Sequence, residues 1–180
     1  MKLSNHQLEV MIHRVFDFWK QKNIATFKVD SKAVFQRAME VLKNEFETEK
    51  KIEQEAKAMV DQLERQNPGG FEPHKMFLMI KKKLAQDKKV ILGDERRSHF
   101  AHLLCDTLYD DDLVDFTEDS VALLAAKNGI EDFMKEFEAL DDLVRQKVLS
   151  LKRGVVEGSP EWDTMYKKYY EEELKRKNRT

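Results

Sequence analysis

Four residues of one predicted helix have the types and spacing of a metal site: Glu95, His99, His102 and Asp106. Steps of four, three and four positions put them on a single helix face. Inward-facing His and carboxylate side chains of this kind hold metals in helical bundles. The pattern is incomplete. The Glu-x-x-His spacing of di-metal bundles is missing, and the matching helix of the first half keeps only His13 and Asp17, with Val10 opposite His99. The expectation is that His99, His102 and Asp106 brace a helix surface or bridge two helices; a metal is the weaker alternative, and no cofactor is expected.

Three further groups carry charge or aromatic surface. Asp110, Asp111 and Asp112, followed by Asp115, Glu118 and Asp119, crowd the end of that helix and the turn after it. A calcium loop needs alternating oxygen ligands and usually a glycine at its bend, and neither is present. Acids at a helix C-terminus sit against the negative end of the dipole. They are therefore expected to face a basic surface, with Lys81, Lys82, Lys83, Lys88 and Lys89 of the other half or of a partner as candidates. That lysine cluster could also meet phosphate backbones, but it lacks aromatic interleaving and a glycine-rich loop. Finally, Lys152-Arg153-Gly154 leads through Ser159-Pro160 to Trp162-Asp163. Trp162 and Arg153 are candidate anchors for a partner, although packing of Trp162 beneath its own loop is the stronger expectation. Tyr166 and Tyr169 lie on a stripe wider than a short helix needs.

Catalytic patterns are absent from the sequence. It has no Gly-x-Ser-x-Gly, no phosphate loop and no dinucleotide fingerprint. The one cysteine, Cys105, lies on an apolar face at the position matching Phe16, which reads as an inert buried thiol.

The elements that must position these residues are helices. Apolar spacing predicts seven. The first covers Asn5 to Lys20, with Asn5 as its cap. The second begins at Ser31 and continues as one rod toward Asn67-Pro68-Gly69-Gly70, since no Gly or Pro interrupts it. A third starts near Pro73, a favoured first-turn position, and a fourth runs from Asp94 to about Tyr109. A fifth runs from Ser120 to a stop at Asn128-Gly129, a C-cap signal. A long sixth follows from Ile130 to about Leu151. The seventh opens at Ser159-Pro160-Glu161.

The halves repeat one plan. A shift of 89 positions lays His13 on His102, Asp17 on Asp106, Ile24 on Leu113, Phe27 on Phe116 and Ser31 on Ser120. Farther on, a shift of 88 lays Ala56 on Val144 and Val60 on Val148. This order implies a tandem duplication of one helical unit, with domains at 1–92 and 93–180. Their charges are opposite: 18 Lys/Arg against 13 Asp/Glu gives +5 for residues 1–92, and 14 against 21 gives −7 for residues 93–180.

The closing segment Ser150 to Lys177, "SLKRGVVEGSPEWDTMYKKYYEEELKRK", resembles the closing signature of a bacterial family of domains of unknown function, number 507. The stretch "HLLCDTLYDDDLVDF", His102 to Phe116, is similar to that family's opening helix and turn. The start "MKLSNHQLEVMIHRVF" is similar to its N-terminal pattern more loosely. The resemblance thus covers residues 94–180 well and 1–92 less closely. It implies a bacterial cytoplasmic origin and carries over no catalytic residue or ligand.

Composition bounds what remains. In 180 residues, 37% are charged, and 6 Gly and 3 Pro are few, which is a helical balance with enough aromatic material for a core. A single cysteine excludes an internal disulfide and suits a reducing compartment. No run of about 18 apolar residues would span a membrane. The sequence therefore predicts an all-α, non-enzymatic cytoplasmic protein of two similar helical units that acts by protein contact or self-association. Nucleic-acid binding through the basic first half is the alternative, followed by a metal-dependent helical enzyme.

Overall fold

In the computed structural model, which describes residues 3–151 and 159–177, helices account for most of the described residues. Helix α1 (Asn5–Gln21) is capped by Ser4 rather than Asn5: the Ser4 hydroxyl accepts from the Gln7 amide, and the Gln7 side chain accepts from the Ser4 amide. Its apolar stripe, Leu8, Met11, Ile12, Val15, Phe16 and Trp19, is buried. Strand β1 (Ala25–Phe27) follows, and then helix α2 (Ser31–Gln66), a rod of 36 residues capped by the Asp30 side chain. The turn after Gln66 returns the chain into α3 (Pro73–Asp87), with Pro73 in its first turn. Helix α4 (Glu95–Asp110), strand β2 (Val114–Phe116), helix α5 (Asp119–Leu151) and helix α6 (Pro160–Lys177) complete the order.

Two expectations need correction. The described residues hold six helices, not seven, because α5 runs unbroken through Asn128-Gly129. Gly129 is no helix stop. It is buried, and a Cβ there would lie 2.9 Å from the Val15 Cα, so glycine is what lets α5 approach the α1 backbone. The second correction is a small antiparallel ribbon that helical periodicity hides. Ala25 pairs with Phe116, Thr26 with Asp115 and Phe27 with Val114. Each strand is three residues long, too short for a period-two pattern to register.

The ribbon has a property of its own. Its central pair, Thr26 and Asp115, is 89 positions apart, the same offset that aligns the halves. The flanking backbone bonds match as well: the Lys28 amide donates to the Leu113 carbonyl and the Thr117 amide to the Ile24 carbonyl, both at 2.9 Å. Asn23 and Asp112, at φ 51° and 57°, close α1 and α4 in the left-handed region. Lys89 closes α3 in the same way, so that turn is a general helix ending.

Two compact units divide the chain, Met1–Ile130 and Glu131–Thr180. In the first, α2 packs on α3, α4 and α1, and the Trp19 indole N–H donates to the Ala122 carbonyl at 3.0 Å inside the core. In the second, Val144, Val148 and Trp162 form the centre, and Leu140, Met165, Tyr166, Tyr169 and Tyr170 cover it.

Candidate functional site: an acid-rimmed cleft

The first unit opens a cleft of about 420 Å³ between α4, β2 and the start of α5. Cys105, Phe116 and Leu123 give it apolar walls. His102, Asp106, Asp110, Asp119 and Ser120 give it a polar rim, with Tyr109 at the edge. Exposed apolar surface lies on the same elements: Tyr109 is 55% exposed on α4, Leu124 59% and Val121 38% on α5.

The positions 89 residues earlier carry an aromatic cluster. There His13 stacks on Phe35 with ring centroids 4.6 Å apart, and Phe16 meets Phe27 at 5.1 Å and Phe35 at 6.4 Å. Shifted by 89 positions, Phe16 becomes Cys105 and Phe35 becomes Leu124. The positions of the two rings thus align with a thiol and an exposed leucine, and His13 and Phe27 align with His102 and Phe116.

The acidic run divides by partner. Asp111 accepts from Arg37 at 2.6 Å, and Lys28 bridges Asp112 and Asp115, the latter at 2.9 Å. These hydrogen bonds raise the pKa of both cations. A basic surface of the other half therefore does meet the acids, but it consists of Lys28 and Arg37. The lysines 81–83, 88 and 89 do not supply it. Asp106, Asp110 and Asp119 have no cation in salt-bridge reach among the described residues. Asp119 sits in the first turn of α5, where the helix dipole favours it; Asp106 and Asp110 sit in the last turns of α4, where it does not. Burial pushes the Cys105 thiol up to about 12, and the charges of Asp106 and Asp119 add to that shift while Lys127 opposes it.

The residues singled out in the sequence scatter. His102 and Asp106 share the cleft, but half-buried His99 turns to α2, its Nε2 3.4 Å from a Glu45 carboxylate oxygen. Among the described residues, no three His, Cys, Asp or Glu side chains are grouped to hold a metal ion. Lys81 is engaged with Glu49 at 3.1 Å and Glu53 at 2.7 Å, and Lys88 pairs with Glu55, while Lys82 and Lys83 stay exposed. Burial opposes the charge on Lys81, but its hydrogen bonds to Glu53 and Glu49 prevail and its pKa is raised. Trp162 is buried, 4% exposed, in the second unit. Tyr166 is half-buried there and donates to Asp141; burial and that bond raise its pKa. Tyr169 packs on the same cluster, with the Lys147 ammonium 4.8 Å from its ring. Arg153 lies outside the described residues.

One buried constellation escaped the sequence reading. The Arg96 guanidinium, 2% exposed, donates to Glu49 and, at 3.3 Å, to the Glu45 carbonyl. It lies between the rings of Phe46 and Phe100, 4.3 and 4.8 Å from their centroids, and its Nε has no partner among the described residues. The available signal was a Glu on the apolar face of α2, between Leu42 and Ile52, and an Arg on that of α4, one turn before Phe100.

The chain belongs to the family described as "Protein of unknown function (DUF507)", whose profile matches residues 1–178. No curated protein matches it.

Proposed function

We propose that this protein is a non-enzymatic cytoplasmic helical module that works by protein contact, and that the cleft beside α4 and α5 is its contact surface. The observation that carries the reading is an open concavity with apolar walls and a polar rim, with Tyr109, 55% exposed, in its lining and exposed Leu124 and Val121 on the same helix as its Ser120 and Leu123. Large apolar side chains grouped around a concavity mark interaction sites more often than chance exposure does. The same comparison supports a tandem duplication with a boundary near residues 92 and 93. The central ribbon pair is 89 positions apart, and the aromatic cluster of His13, Phe16, Phe27 and Phe35 aligns at that shift with His102, Cys105, Phe116 and Leu124. A lone cysteine fits a reducing compartment. No helix among the described residues is long and apolar enough to cross a membrane.

The test is site-specific photocrosslinking in the cell of origin, with benzoylphenylalanine at Tyr109. A discrete adduct with a polypeptide is expected, and Leu123→Trp, which puts a ring into the cleft wall, is expected to remove it. No adduct from Tyr109, or an adduct indifferent to Leu123→Trp, would refute the reading.

A further inference from the structure

We infer that the cleft takes a cationic polypeptide segment carrying one bulky apolar side chain, an inference that rests on the contact reading above. The charge argument comes from the division of the acids. Within one stretch of α4 and its turn, Asp111, Asp112 and Asp115 are met by the chain's own Arg37 and Lys28, whereas Asp106, Asp110 and Asp119 face the cleft without a cation among the described residues. Asp106 and Asp110 also oppose the α4 dipole, so a bound cation relieves two unfavourable interactions at once.

The shape argument is independent of charge. A cleft of about 420 Å³ with Cys105, Phe116 and Leu123 in its walls lies within the roughly 300–1,000 Å³ of ordinary ligand pockets and admits a large side chain. At the aligned positions the first half carries rings, Phe16 against Phe35, where this half has Cys105 and Leu124. A buried aromatic or aliphatic anchor framed by charged contacts is how compact docking sites gain both affinity and register. A nucleic-acid backbone would be repelled by the same three carboxylates.

Two fluorescein-labelled peptides test this against the full chain by anisotropy: Lys-Lys-Gly-Trp-Gly-Lys-Lys, and the same peptide with Gly for Trp. The Trp peptide is expected to bind about 10-fold more tightly than the Gly peptide, as loss of an anchor predicts. Asp106→Asn with Asp110→Asn is expected to weaken it about fivefold and to flatten its dependence on salt. Leu123→Trp, in the cleft wall, is expected to abolish binding, and Asp142→Asn, exposed elsewhere on α5, to leave it unchanged. Circular dichroism confirms that each variant is folded. Equal binding of the two peptides, or binding indifferent to the Asp106 and Asp110 changes, would overturn the inference. The two proposals fail separately. A Tyr109 adduct with no binding of the Trp peptide overturns the cationic occupant and leaves the contact reading standing. Anchor-dependent binding without any adduct in the cell does the reverse. An adduct of twice the chain's mass makes a second copy the occupant and overturns the inference of a separate cationic partner.

Discussion

Cys105 shows how much a single position can change. Its alignment with Phe16 predicts a buried thiol, and it is 7% exposed. That Cys105 lies in the wall of a cleft, whereas the aligned Phe16 packs against other rings, was not legible, because ring contacts and cleft walls are set by tertiary packing. Burial, with Asp106 and Asp119 nearby, raises the thiol pKa to about 12, so the neutral form dominates and the thiolate gains only as pH rises toward that value. Alkylation by iodoacetamide at pH 8 is expected to run on the order of 10³-fold slower in the native chain than in the unfolded one, since only the thiolate reacts. Equal native and unfolded rates would remove that assignment. Gly129 carries a second lesson at this scale. Asn-Gly is a local stop signal, but the approach of α1, more than a hundred residues earlier in the chain, decides the role of the glycine. Gly129→Ala gains about 1 kcal/mol of helix propensity yet places a Cβ 2.9 Å from the Val15 backbone. A net loss of about 1–2 kcal/mol is expected from overpacking, read as a lower urea midpoint at unchanged slope. A raised midpoint would show that the contact yields.

Among the elements, α2, α3 and α4 are joined by charge as well as by apolar packing. Glu49 receives Arg96 from α4 and Lys81 from α3, so one buried carboxylate on the long rod serves two neighbouring helices. The α2 rod itself was legible, because apolar spacing persists and no Gly or Pro intervenes before Asn67. The network was not. A charged residue on an apolar stripe announces that a partner exists, but a partner 47 positions away cannot be picked from a chain in which 37% of residues are charged. Removing one partner of a buried pair costs far more than removing both. Arg96→Leu is expected to lower unfolding free energy by about 3 kcal/mol, with Lys81 holding the loss to the lower end of the range. Adding Glu49→Leu to that variant is expected to recover at least half of the loss, because the stranded carboxylate is gone. A double variant no more stable than Arg96→Leu would show that the pair is net stabilising and not merely mutually dependent.

For the molecule as a whole, sequence order and sequence charge tell different parts of the story. The ribbon's central pair, Thr26 and Asp115, lies 89 positions apart, the offset at which the sequence aligns residues 1–92 with 93–180. The ribbon itself was invisible, since three-residue strands leave no periodic trace. The acids at the end of α4 were expected to face a basic surface, and Lys28 and Arg37 meet Asp112, Asp115 and Asp111 beside the ribbon. The lysine cluster was the wrong candidate because Lys81 and Lys88 are engaged by Glu49, Glu53 and Glu55 of their own hairpin, a pairing set by how α3 folds back on α2. Exposed pairs of this sort act mainly by holding register, and salt screens them. At about 1 M salt the screening length falls to roughly 3 Å, so the Lys28 and Arg37 pairs weaken while the buried Arg96–Glu49 pair is little affected. The amides of Lys28 and Thr117, which bond across the ribbon to Leu113 and Ile24, are then expected to exchange with deuterium roughly threefold faster than at low salt. Lys28→Met is expected to give the faster rate already at low salt and to blunt the further response, because the charge that salt would screen is gone. If the exchange of both amides ignores salt, or if Lys28→Met leaves it unchanged, the ribbon is held by its backbone bonds and packing alone, and the opposite charges of the halves have no part in joining them.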